Sequence, residues 1–109
     1  MIPREKLTEV ASQLLTKTRD HQVRWFPDMG VENGFVTFLP QSRMRVALEP
    51  VGARIAFVLQ NNGDHVVGEL SANPAEPAHA MLRKLHEAAA EASTRWDEVL
   101  REVEAAVRP

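Results

Sequence analysis

The sequence predicts an α+β fold with an N-terminal helix, a roughly five-stranded antiparallel meander, and a long C-terminal helix packed on the sheet. Three observations predict it. Apolar residues recur every three to four positions near both ends of the chain, they alternate with polar residues in the middle, and Pro, Gly and Asn separate the alternating segments. A sheet with one apolar face needs a cover, and the two helices are the only candidates. The 109 residues fit a single domain, residues 1–109.

The first predicted helix runs from about residue 3 to residue 17. Pro3 suits a first helical turn, where its missing N–H costs nothing. One face of the helix is apolar and the opposite face is charged or polar. The apolar face holds Leu7, Val10, Ala11, Leu14 and Leu15.

Five predicted strands follow, over residues 23–26, 35–39, 43–49, 54–60 and 65–70. In the third strand Met44, Val46 and Leu48 alternate with outward-facing arginines. Asn62-Gly63 predicts a tight hairpin between the last two strands, because both residue types tolerate positive φ. Gly68, inside the fifth strand, indicates a bulge or a close approach by another part of the chain.

The second helix is predicted from residue 77 or 78 to residue 107. At 1.5 Å per residue it is ~45 Å long, whereas a domain of this size is roughly 35 Å across. A continuous apolar stripe with a period of about 3.5 residues follows its whole length. The stripe consists of Leu82, Leu85, Ala89, Ala92, Trp96, Val99, Val103 and Ala106.

Three interpretations of this long helix are open. In the first, the helix crosses the sheet beside the first helix and frays at its end. In the second, its overhanging end pairs with another copy or with another protein. In the third, the helix breaks at Ser93-Thr94, where Thr94 and Asp97 resemble a capping pair. Under the second interpretation Trp96 is an anchor of the kind enriched at interface centres. The predicted interface residues are Trp96, Val99, Leu100, Val103, Ala106 and Val107.

Composition and motifs argue against enzymatic, cofactor or metal chemistry. The chain has no cysteine, a net charge of -2, and neither a glycine-rich phosphate loop nor a nucleophile elbow. His79 and His86 are seven residues apart on one helix, ~10 Å along its axis, too far to share a metal ion. All four histidines are therefore expected at the surface. Without a signal peptide or a membrane span, the protein is expected to be cytoplasmic, and the excess of Arg over Lys suggests a bacterial source.

The leading hypothesis is a non-enzymatic accessory module that associates through its C-terminal helix, with itself as a homodimer or with another protein. The alternative is a nucleic-acid-binding or regulatory protein that uses a basic sheet face formed by Arg24, Arg43 and Arg45. A small-molecule or peptide site between helix and sheet is a third hypothesis, for which the sequence supplies no convergent polar group.

Six segments carry a resemblance to other sequences: Leu14-Leu15-x-Lys17-Thr18, Val23-x-Trp25, Phe35-Val36-Thr37-Phe38, the turn at Gly63, and residues 82–88 and 99–103. In these segments the chain resembles a widespread, uncharacterised family of small bacterial domains. The resemblance implies the same order of helix, antiparallel strands and long helix, and it implies no established activity. The chain departs from the family at His86, where a tyrosine is common in the family, and at the alanine run that follows.

Overall fold

The computed structural model describes residues 1–108 and confirms the predicted α+β fold. An N-terminal helix is followed by five antiparallel strands in one sheet and by a long C-terminal helix that packs on that sheet. The elements are α1 (Arg4–Arg19), β1 (Phe26–Pro27), β2 (Gly34–Leu39), β3 (Ser42–Leu48), β4 (Ile55–Asn61), β5 (Val66–Ala72) and α2 (Pro77–Val107).

The sheet is a simple meander, and every neighbouring pair of strands is antiparallel in the order β1-β2-β3-β4-β5. The register places Val46 opposite Phe57, and Phe57 opposite Leu70. These three residues are fully buried, so they define the face that α1 and α2 cover. Arg43 and Arg45 occupy the alternate positions of β3 and point to the other face, as predicted.

The core lies between this sheet face and the two helices. Leu7 and Ala11 of α1 are almost completely buried, as are Leu82 and Leu85 of α2. Burial of each large apolar side chain contributes roughly 1.5–3 kcal/mol, so this layer supplies most of the stability of the fold.

Gly68 lets α1 approach β5 closely. A Cβ atom at this position would lie 2.8 Å from Cδ2 of Leu7. Leu7 is itself 1% exposed and has little room to move. The prediction that Gly68 marks a close approach is therefore confirmed, and a register irregularity lies beside it between Leu59 and Gln60 of β4.

A chain of buried hydrogen bonds ties the end of α1 to the segment that leads into the sheet. Trp25 is 0% exposed, and its Nε1–H donates to Oγ1 of Thr18 at 3.0 Å. The Thr18 hydroxyl in turn donates to the carbonyl oxygen of Leu14 at 2.7 Å. Trp25 is thus a core residue, and the polar atom of its side chain is satisfied.

The first strand is much shorter than predicted. Of residues 23–26 only Phe26 belongs to β1, which pairs Phe26 with Val36 and Pro27 with Phe35. The residues before it are held against α1, since the amide of Gln22 donates to the Lys17 carbonyl. This attachment, together with the Trp25 bond, keeps the segment away from the edge of β2.

The hairpin between β4 and β5 is confirmed, but its turn differs from the predicted one. Asn61 and His65 close a three-residue loop, with the amide of Asn61 donating to the His65 carbonyl. The residue with positive φ is Asp64, at 60°, rather than the Asn-Gly pair. This is the geometry of a loop that ends in a left-handed residue, and the Asn61 side chain stabilises it by accepting the amides of Gly63 and His65.

The C-terminal helix is continuous from Pro77 to Val107, so the interpretation with a break at Ser93-Thr94 is wrong. Ser93 is buried, and the hydroxyl of Thr94 donates to the carbonyl of Ala90 one turn earlier. The Thr94 side chain therefore bonds within the helix and starts no new one.

Replacing Thr18 by Val tests the importance of the Trp25 bond. The variant keeps the shape of the side chain but leaves the buried indole N–H without an acceptor. We expect the free energy of unfolding in urea to fall by about 1–3 kcal/mol. Thr16→Val is the matched control, because its exposed hydroxyl makes a similar bond to the carbonyl of Ser12. Equal losses in the two variants would contradict the assigned role of Thr18.

Candidate functional site

The last third of α2 extends past the body of the domain. The helix of 31 residues is ~46 Å long, and the molecule measures 52 × 29 × 26 Å. Leu82, Leu85 and Ala89 are 0% exposed. Every residue from 97 to 108 is exposed. The helix therefore overhangs the rest of the domain, as its predicted length indicated.

The exposed end of α2 retains its apolar side. Val99 and Leu100 are each 45% exposed, Val103 is 52% exposed and Val107 is 74% exposed. Together with Ala106 these residues follow the i, i+3, i+4, i+7 spacing of one helix face, and we name them the distal stripe. Single exposed apolar residues are ordinary, but a contiguous row of them marks a surface suited to contact.

Trp96, the remaining predicted interface residue, contacts Arg24 of its own chain. The guanidinium carbon of Arg24 lies 4.4 Å from the centroid of a Trp96 ring, which is a cation–π geometry. Trp96 is only partly exposed. It therefore lies at the boundary between the covered half of α2 and the distal stripe.

The three arginines of the predicted basic face do not form one surface. Arg43 forms an ion pair with Asp64, and Nε of Arg45 lies 3.2 Å from an Asp28 carboxylate oxygen. Both lie on the uncovered sheet face and have acidic partners. Arg24 instead lies against α2. Phe26 does share the face of Arg43 and Arg45, where its ring lies 5.9 Å from that of Phe38.

His79 is buried and His86 is partly buried, whereas all four histidines were expected at the surface. His79 is 9% exposed, and its Nε2 lies 2.7 Å from the carbonyl oxygen of Ala53. His86 is partly buried, with Nε2 2.7 Å from the Asn33 carbonyl and its ring edge-on to Phe35. A carbonyl only accepts, so each Nε2 carries the proton. His21 and His65 are exposed, as expected.

These two histidines fasten α2 to two loops of the sheet. Asn33 and Ala53 both have positive φ, at 54° and 52°, and their carbonyls meet the histidines. The spacing of His79 and His86 about Leu82 is three and four residues, so both were in phase with the buried stripe. That phase is the sequence feature from which a role in packing could have been inferred.

The geometry defines a two-layer α+β protein whose most distinctive feature is a projecting helix with an apolar side. No protein-family model, curated protein or solved structure matches the chain. Over residues 1–108, no helix has the length and apolar character to cross a membrane. In the same residues, no three His, Asp or Glu side chains are grouped so that they could hold a metal ion.

Replacing His79 by Ala tests whether the histidine fastens α2. The change removes a buried hydrogen bond and leaves a gap under the first turn of the helix, so we expect a loss of about 1–3 kcal/mol in the free energy of unfolding. His65→Ala, in an exposed turn, should change it by less than ~0.5 kcal/mol. Chemical denaturation followed by circular dichroism measures both. A His79 variant as stable as the control would show that the bond contributes nothing.

Proposed function

We propose that this protein is a non-enzymatic interaction module that pairs with a second copy of itself through the distal stripe. The supporting observation is the exposure of Val99, Leu100, Val103 and Val107, which continue the helix face that is buried earlier in α2. The apolar pattern continues without interruption from the buried half to the exposed half. Burying apolar surface is the main favourable term in protein association, and this stripe has no cover within residues 1–108.

The charges around the distal stripe favour a partner of similar character. Within residues 94–108 the acidic side chains number four and the basic ones three. A strongly acidic or basic partner would face repulsion from part of this set. A second copy laid antiparallel on the same face presents the same mixture, and a twofold axis buries the same residues on both chains. The charged residues are Asp97, Glu98, Glu102, Glu104, Arg95, Arg101 and Arg108.

The size of the stripe limits the strength of this association. The exposed end amounts to about three helical turns. Two such ends bury less than the ~800 Å² per partner of a standard stable interface. The proposed dimer is therefore weak and reversible, and its population depends on protein concentration.

The double variant Val99→Glu/Val103→Glu tests the proposal. The wild-type chain, of 12.2 kDa, should show a rise in average mass towards that of a dimer as its concentration increases in sedimentation equilibrium. The variant should remain monomeric, because two carboxylates from each chain would be buried in the interface. Its free energy of unfolding should stay within about 1 kcal/mol of the wild type, since neither residue belongs to the core.

Thr94→Glu/Ala105→Glu is the matched control for this experiment. It adds the same charge to the same helix, but both positions are exposed and lie opposite the distal stripe. It should therefore dimerise like the wild type. A wild-type chain that stays monomeric at the highest concentrations, or two double variants with equal effects, would overturn self-association. Unfolding of the Val99/Val103 variant would instead assign the stripe to the core of its own chain.

A further inference from the structure

A groove opens between α1 and the end of β2, at the place where β1 stops. Its volume is about 680 Å³. Leu14 and Met44 form a buried floor, and Leu39, which is 46% exposed, forms a wall on the same face of the sheet. Phe38, which is 58% exposed, lines the groove from the sheet edge and points to the other face. The groove exists because residues 22–24 stay with α1 instead of pairing with β2. It contains no residue of the distal stripe, so it is independent of the proposed dimer surface.

The charges in this groove all have one sign. Among residues 1–108, Lys17 and Arg24 are its only charged lining residues, and no carboxylate side chain of these residues lines it. Neither of the two cations forms an ion pair with a carboxylate within residues 1–108. The contact between Arg24 and the Trp96 ring positions the guanidinium but leaves its positive charge uncompensated.

We propose that this groove binds a small amphiphilic carboxylate, with its apolar body on Leu14, Met44 and Leu39 and its carboxylate between Lys17 and Arg24. A cavity of this volume falls within the ~300–1,000 Å³ typical of small-molecule sites, which combine apolar walls with a few polar groups. The carboxylate supplies the charge that the two cations lack. Lys17 and Arg24 line the same groove, and their spacing in the sequence did not reveal this.

Two features favour a free small molecule over larger occupants. Beyond Val36 only Thr37, Phe38 and Leu39 of β2 have an uncovered edge, which is too short for an added peptide strand to gain a ladder of hydrogen bonds. Two cations are also fewer than the four to eight basic residues of typical anionic-membrane surfaces. A single carboxylate matches the charge that is present.

Titration calorimetry with decanoate tests the proposal on the full chain. We expect saturable binding of one decanoate per chain. Binding of 1-decanol should be about tenfold weaker, because it lacks the charge. Acetate should not bind measurably, because it lacks the apolar body. Vesicles of phosphatidylglycerol should not retain the protein in flotation.

Two pairs of variants locate the site. Lys17→Met should weaken decanoate binding about tenfold, whereas Lys84→Met, at an exposed lysine of α2, should leave it unchanged. Leu39→Asp places a carboxylate in the wall and should abolish binding, whereas Val51→Asp, in an exposed loop, should not. Thermal melts of all four variants check that each is folded.

Several results would overturn the proposal. They are the absence of decanoate binding, decanol binding as tight as that of decanoate, equal effects within either pair of variants, and retention on vesicles without binding of the free acid. Because no variant in this set lies in the distal stripe, failure here leaves the dimer proposal standing, and failure of the dimer leaves this one standing.

Discussion

The structure depends on a mismatch between the length of α2 and the width of the sheet that it crosses. The helix contacts all five strands, which at a spacing of ~4.8 Å span ~19 Å, whereas α2 is more than twice as long. Leu82 and Leu85 fix the first half over the sheet, and His79 and His86 fasten it to two loops. With that half fixed, the remainder of a straight helix has to project, and its apolar side projects with it.

A second constraint, at the other end of the core, accounts for the groove. Trp25 brings a large ring and one N–H into the interior, and Thr18 at the end of α1 is its acceptor. Satisfying that N–H holds the connecting segment against the helix, and the segment can then pair with β2 only from Phe26 onward. The same hydrogen bond that joins α1 to the sheet therefore shortens the first strand and opens the edge of β2.

The sequence was sufficient for most of the fold because periodicity reports which face of an element is buried. The order of elements, the inward face of β3 and the start and end of α2 follow from it. Periodicity was insufficient where the structure of a segment depends on which residue it contacts. Alternation over residues 23–26 did not show that Trp25 bonds to Thr18, and the phase of His79 did not show an Ala53 carbonyl opposite it. Of the candidate interface, Val99 to Val107 proved exposed, while the contact of Trp96 with Arg24 was not foreseeable from spacing.

The projecting end of α2 has little of its own to keep it helical. It needs no separate nucleation, since it extends a helix that is already docked. The ion pairs of α2, however, lie earlier, at Arg83–Glu87 and Glu91–Arg95, and the spacing of Asp97 and Arg101 produces no such pair in the described chain. The last turn also has no basic residue to offset the helix dipole. Packing against a partner along the distal stripe would therefore order the end of the helix as well as bury its apolar side, and the two effects would reinforce each other.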